Sequence, residues 1–210
     1  MRIAYPDGTV ATGQVLEIEE GRRVAFTYGY ESGKMIPPGG SRVTITLEES
    51  RAGTLVRLRH EVAEERVRDA HVQGWRYQLA LFANAATREQ HRGAAAVIDR
   101  YFQLWNMADA AARRQAMDTA VSPDVIFQDP YGSTAGVDEF AAHIIASRQF
   151  MPGLRLERVA EVRQCQGTAL AEWRVTGAGG AVIARGINVM NLSPDGRITR
   201  VVGFWSEMKR

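Results

Sequence analysis

The hydrophobic period of this chain changes twice, and each change sets a limit on the fold. From Tyr5 to about Glu61 short β-prone runs alternate with turn clusters. Pro6-Asp7-Gly8 precedes Thr9–Ile18, and Glu19–Arg22 separates that run from Val24–Tyr28. A Gly/Pro-rich stretch, 33–40, leads into Val43–Leu47, where Val43, Ile45 and Leu47 alternate with Thr44 and Thr46. Ser50–Gly53 then leads into Leu55–His60. This pattern predicts an antiparallel meander. After Glu61 the period becomes helical, with Val67, Ala70, Trp75, Leu79 and Phe82 on one stripe, and one long helix is expected to cover the sheet. Gly74 fits inside that helix if helix and sheet approach closely there.

The polar segment Thr87–Gly93, in which Thr87 and Gln90 have the spacing of a capping box, predicts the start of a new helix and a boundary between domains 1–88 and 89–210. Helices are expected over Ala94–Met107, with Val97, Ile98, Tyr101, Leu104 and Trp105 on its apolar face, then over Ala110–Ala120 capped by Asp109, and over Val137–Arg148. Val125–Gln128 reads as a short extended run ending in the turn order Asp129-Pro130-Tyr131-Gly132. The period then returns to two. Strands are expected over 155–163, 168–176, 181–192 and 198–205, the later ones joined by hairpin signals at Gly177–Gly180 and Ser193–Gly196. Helices followed by a meander give an α+β domain, and a curved antiparallel sheet wrapped by those helices encloses a conical pocket. Asp129 is expected to face into it.

Composition narrows the function classes. Basic and acidic residues number 26 and 24 and are interspersed, so the clustered charge of a nucleic-acid surface is missing. Lys34 and Lys209 are the only lysines, and Arg on solvated strand faces accounts for most of the positive charge. Cys165 is the only cysteine, which precludes an internal disulfide. No run approaches the roughly 20 apolar residues of a membrane span, and the N-terminus lacks a signal-peptide pattern, so a cytoplasmic protein without membrane partners is expected. His60, His71, His91 and His143 lack metal-ligand spacing, and no Gly-rich phosphate loop is present, so neither metal nor cofactor is expected.

The segments 13–18, 23–28, 41–47, 53–62 and 74–82 together resemble the SRPBCC superfamily, and within it the domains related to the activator of the heat-shock-protein ATPase. The resemblance implies a helix-grip fold, a sheet curled around a long C-terminal helix. Roughly the first third of such a domain has no counterpart here, so a truncated helix-grip is expected, its uncovered face closed by dimerisation or by the second domain.

The strings DRYFQLW (99–105), FQDPYG (127–132), GVDEF (136–140), ARGINVMNL (184–192) and DGRITRVVGFW (195–205) resemble the SnoaL-like branch of the nuclear transport factor 2-like superfamily, which includes ketosteroid isomerases and polyketide cyclases. The resemblance implies a cone-shaped domain and gives candidate roles. Asp129 matches the Asp that removes a proton next to a carbonyl. Tyr101 matches the Tyr that stabilises the oxyanion, and Asn188 replaces the late-strand Asp that shares this task. An amide donates a hydrogen bond at any pH but transfers no proton, so Asn188 speaks against the cyclase reaction. Trp105, Phe127, His143, Trp173, Met190 and Phe204 are the expected substrate-binding residues, and the expected ligand is a small apolar carbonyl compound.

Each assignment has a plainer rival. Asp before Pro-x-Gly suits a turn with no chemistry attached. Tyr101 fits an ordinary core stripe, and both halves could be ligand-holding or dimerising modules without turnover. Asn188 is harder to explain away, because it alternates with Ala184, Gly186 and Met190 on an inward strand face, where an unpaired amide costs about 1–3 kcal/mol.

Overall fold

The computed structural model describes residues 1–50 and 53–206, in two compact units, 1–80 and 81–210. The turn expected at Ser50–Gly53 includes residues 51 and 52, which lie outside the described residues.

In the first unit, strands β1 (Arg2–Ala4), β2 (Val10–Thr12), β3 (Val15–Glu19), β4 (Arg23–Tyr30), β5 (Ser41–Ser50) and β6 (Gly53–Glu61) form an antiparallel sheet in the order β1-β2-β4-β5-β6, with β3 also against β4. Helix α1 (Glu65–Gln90) follows. The single strand expected over Thr9–Ile18 is broken at Gly13, where the chain lies against β4 so closely that a Cβ would sit 1.7 Å from Thr27 O. The core contains Phe26, Tyr28, Ile36, Val43 and Val67. The expected helical stripe needs correction, since α1 fully buries only Val67 and His71, half-buries Trp75 and Leu79, and leaves Ala70 and Phe82 exposed.

His71 replaces Ala70 on the buried face because both of its ring nitrogens find partners, Val67 O at 2.7 Å and Tyr30 Oη at 3.0 Å. Beside it, Trp75 Nε1–H donates to His60 Nδ1 at 3.0 Å, and His60 Nε2 faces Ser41 Oγ at 2.8 Å, which in turn donates to Tyr28 O. An indole only donates and a carbonyl only accepts, so this chain has one consistent set of protons, with His60 neutral. Burial, and secondarily His71, push the His60 pKa down to about 4.

In the second unit, α2 (Ala94–Asn106), α3 (Ala110–Ala120) and α4 (Val137–Phe150) pack on strands β7 (Val121–Asp129), β8 (Gly132–Ala135), β9 (Arg155–Arg158), β10 (Arg163–Cys165), β11 (Thr168–Thr176), β12 (Val182–Leu192) and β13 (Ile198–Trp205). The sheet order is β10-β11-β12-β13-β7-β8, with β9 also against β11. All pairs are antiparallel except β13 with β7, which are parallel, so the wholly antiparallel sheet expected from sequence becomes a mixed one.

Asp109 caps α3 as expected, its carboxylate accepting from Ala112 N at 2.7 Å. The Thr87 capping box does not form. Instead α1 continues through Gln90, Thr87 Oγ1 bonds back to Ala83 O at 2.8 Å, and α2 begins after Gly93 with no side-chain cap. From Leu81 onward α1 belongs to the second unit, and there Gln90 Nε2 donates to Pro194 O at 2.9 Å and His91 Nε2 lies against Ser193 O at 2.9 Å. Among the described residues no helix is long and apolar enough to cross a membrane, and no cluster of His, Cys, Asp or Glu could hold a metal ion.

Candidate functional site

The second unit holds a cavity of about 90 Å³ whose walls are mainly apolar and rich in aromatic side chains. Its positions follow from strand alternation. Asn188 of β12 pairs with Gly203 of β13, and the parallel register of Val202 with Gln128 brings Asp129 alongside Gly203. A Cβ on Gly203 would lie 3.1 Å from Asn188 Oδ1 and 3.3 Å from Asp129 Cβ. The missing side chain therefore opens the floor between the carboxylate and the amide. Helix α2 supplies Tyr101 and Trp105 to the cavity, one turn apart on the same helical face.

Asp129, Tyr101 and Asn188 all line this one cavity. Asp129 is half-buried at the end of β7, and its Oδ1 accepts from Tyr131 N at 2.8 Å and Gly132 N at 2.9 Å. It is thus the turn residue expected of Asp-Pro-x-Gly and a cavity residue together. Oδ2 makes no hydrogen bond among the described residues.

Asn188 is only 5% exposed and accepts from Trp173 Nε1–H at 2.9 Å. Because the indole can only donate, the atom facing it must be the amide oxygen, which fixes the orientation of the amide and keeps its NH₂ free to donate elsewhere. Trp173 reaches this position by lying across Gly186, where a Cβ would be 2.2 Å from Trp173 Cζ2.

Tyr101 is fully buried and stacks on Phe140 at 5.9 Å, yet its hydroxyl has no hydrogen-bond partner. Its pKa is raised, above all by burial and further by the Asp129 charge, against the opposing influence of the Trp105 and Asn188 donors nearby. Trp105 Nε1 is also buried without a partner. The Trp105 ring is packed by Phe127, Phe140 and His143, with centroids 5.6–5.9 Å away.

Of the expected substrate-binding residues, Trp105, Phe127, His143 and Trp173 line the cavity. Two do not. Met190 shares the inward face with Asn188 but lies deeper, fully buried in the packed core. Phe204 has the wrong parity, since Val201 and Gly203 point inward and Phe204 between Gly203 and Trp205 is 58% exposed. Sequence reasoning overlooked Tyr131, Arg148 and Gly203 as site residues. Tyr131, inside the FQDPYG string, meets the edge of Trp205 at 4.9 Å, and a glycine within a strand is a recognised sign of close approach. Arg148, bonded to Trp105 O at 2.7 Å, carries no comparable signal.

Comparison with known proteins follows this division. Residues 98–201 match the SnoaL-like domain, and residues 2–87 match activator of Hsp90 ATPase homolog 1-like proteins. A protein of the SnoaL-like family from Agrobacterium tumefaciens, provisionally described as an isomerase, is 30% identical with a TM-score of 0.52, over 57% of this chain and 99% of its own. The chain belongs to the SnoaL-like family. Other SnoaL-like and NTF2-like structures resemble it less: an NTF2-like protein from Exiguobacterium (19% identity, TM-score 0.45, 53% of this chain and 99% of its own) and a SnoaL-like protein from Jannaschia, provisionally described as a polyketide cyclase (14%, 0.46, 55% and 87%). No curated protein matches the chain. The chain therefore joins a SnoaL-like domain, with its small-molecule-sized pocket, to an N-terminal domain of the Hsp90-activator type.

Proposed function

We propose that the SnoaL-like domain binds a small carbonyl compound and shifts a proton α to the carbonyl. Asp129 takes the α-proton on its carboxylate, the C–H electron pair moves to form the enolate, and the oxygen charge is stabilised by Tyr101 Oη–H and Asn188 Nδ2–H. Returning the proton to a different carbon completes an isomerisation. The reading rests on one observation: a carboxylate and two hydrogen-bond donors from three separate elements line a single aromatic-walled cavity. The reaction class agrees with the description of the Agrobacterium relative.

Cavity size points to the substrate class. The free volume of about 90 Å³ is below the roughly 150 Å³ of an engineered cavity that accepts benzene. A single ring or short chain whose far end projects through the mouth fits better than a fused polycyclic compound. A binding-only reading is favoured by the engagement of Asp129 Oδ1 in its own turn.

The two are separated by incubating the full chain with 3-cyclohexenone and related small ketones in D₂O. Wild-type protein is expected to accelerate deuterium uptake and conjugation over buffer, and Asp129→Asn to lose about 10²–10⁴-fold of that rate. Equal rates for the two proteins would leave binding as the function.

A further inference from the structure

We propose that Trp105 is an oxygen-binding residue: its indole N–H and the Tyr101 hydroxyl together receive the ligand oxygen. This rests on the pocket described above and deepens it, without depending on proton transfer.

Six buried side-chain polar atoms among the described residues have no hydrogen-bond partner, on Arg23, His91, Tyr101, Trp105, Ser122 and Thr134. Of those residues only Tyr101 and Trp105 line the cavity, and they do so from adjacent turns of α2. Buried polar atoms are paired in the great majority of native structures, so two orphans in one cavity mark a place prepared for a partner from outside the chain.

An indole N–H can only donate, so the partner must be an acceptor. The contrast within the protein is direct, because Trp75 and Trp173 both give their N–H to side-chain acceptors. Trp105 cannot swing to find one. Phe127, Phe140 and His143 pack around its ring, with centroids 5.6–5.9 Å away.

The Tyr101 hydroxyl, likewise without a partner, can turn its hydrogen towards the same ligand oxygen. The ligand is therefore a compound whose oxygen has two available lone pairs, a ketone, enolate or phenol-type oxygen, carried on a flat ring that matches the aromatic walls.

Phenol and toluene have nearly the same shape and differ in the oxygen, and calorimetric titration of the full chain with each tests the assignment. Trp105→Phe keeps an aromatic ring and deletes the N–H. Phenol is expected to bind the variant about tenfold more weakly, with toluene affinity unchanged within about twofold, and Tyr101→Phe should show the same selectivity. A parallel loss for both ligands would reduce Trp105 to packing, and undiminished phenol binding would mean that its N–H is satisfied within the protein. Absence of phenol binding to the unsubstituted chain would overturn the proposal as well. The indole N–H resonance of Trp105 in the unsubstituted protein gives a readout that needs no variant to fold. It should move downfield with phenol and stay in place with toluene, and equal shifts would count against the assignment. These ligands are not turned over, so the result stands whether or not Asp129 proves to be a base.

Discussion

Replacing Trp173 by Phe removes one N–H from the second unit while keeping an aromatic ring at a site only 2% exposed. The Asn188 oxygen, held by that N–H at 2.9 Å, is then left without its partner. An unsatisfied buried acceptor costs about 1–3 kcal/mol, and the smaller ring leaves some volume unfilled, so a total of about 2–4 kcal/mol is expected. Asn188→Leu should be destabilising for the mirror reason, because it strands the indole donor. The double variant removes both polar partners and should cost less than the sum, with a coupling of about 1–2 kcal/mol. Urea unfolding followed by circular dichroism and tryptophan fluorescence measures these differences, fitted with two transitions because the chain has two units. Coupling under about 0.3 kcal/mol would refute the claim that this bond fixes the amide in the cavity.

Other expectations follow from single contacts. Gly186→Ala places a Cβ 2.3 Å from Phe204 O as well as against the Trp173 ring, and should cost about 3 kcal/mol in the same assay; a neutral result would contradict the close strand approach. Asp109→Ala should lose about 1 kcal/mol through the missing cap of α3. In the first unit, His60 has a folded pKa of about 4 against an ordinary 6.5, so the unfolded chain takes up its proton first. Stability is then fully present above pH 6.5 and falls as pH drops towards 4, by about 2 kcal/mol after allowing for partial exposure. His60→Gln, which can still accept from Trp75 and donate to Ser41, should flatten that slope.

Local signals were the legible ones. The Asp109 cap, the inward face of β12 and the Asp129 turn depend on a few neighbouring residues, and all three are present. What sequence could not show depended on distant pairing. The parallel contact of β13 with β7 joins segments about 70 residues apart, and it is this contact that brings Asp129 beside Gly203 and Asn188. Phe204 was misplaced because one glycine and one aromatic on either side left the parity of β13 undecided. Thr87 fitted a cap by spacing alone, but a hydroxyl that bonds the preceding turn lets a helix run on, and the docking of Gln90 and His91 onto the 193–194 hairpin holds it there. On α1 the stripe drawn through Ala70 overlooked His71, a polar residue whose burial depends on partners from β4.

On the proposed mechanism Asp129 stands next to the carbon α to an oxygen bound by Tyr101. A crystal structure of the full chain with phenol, whose ortho carbon stands in for the α-carbon of an enolate, tests it most directly. The predicted result is phenol oxygen within about 3 Å of Tyr101 Oη and the ortho carbon within about 3.5 Å of Asp129 Oδ2. A phenol oxygen directed at the cavity mouth, or an Asp129 carboxylate turned away from the ring, would contradict it.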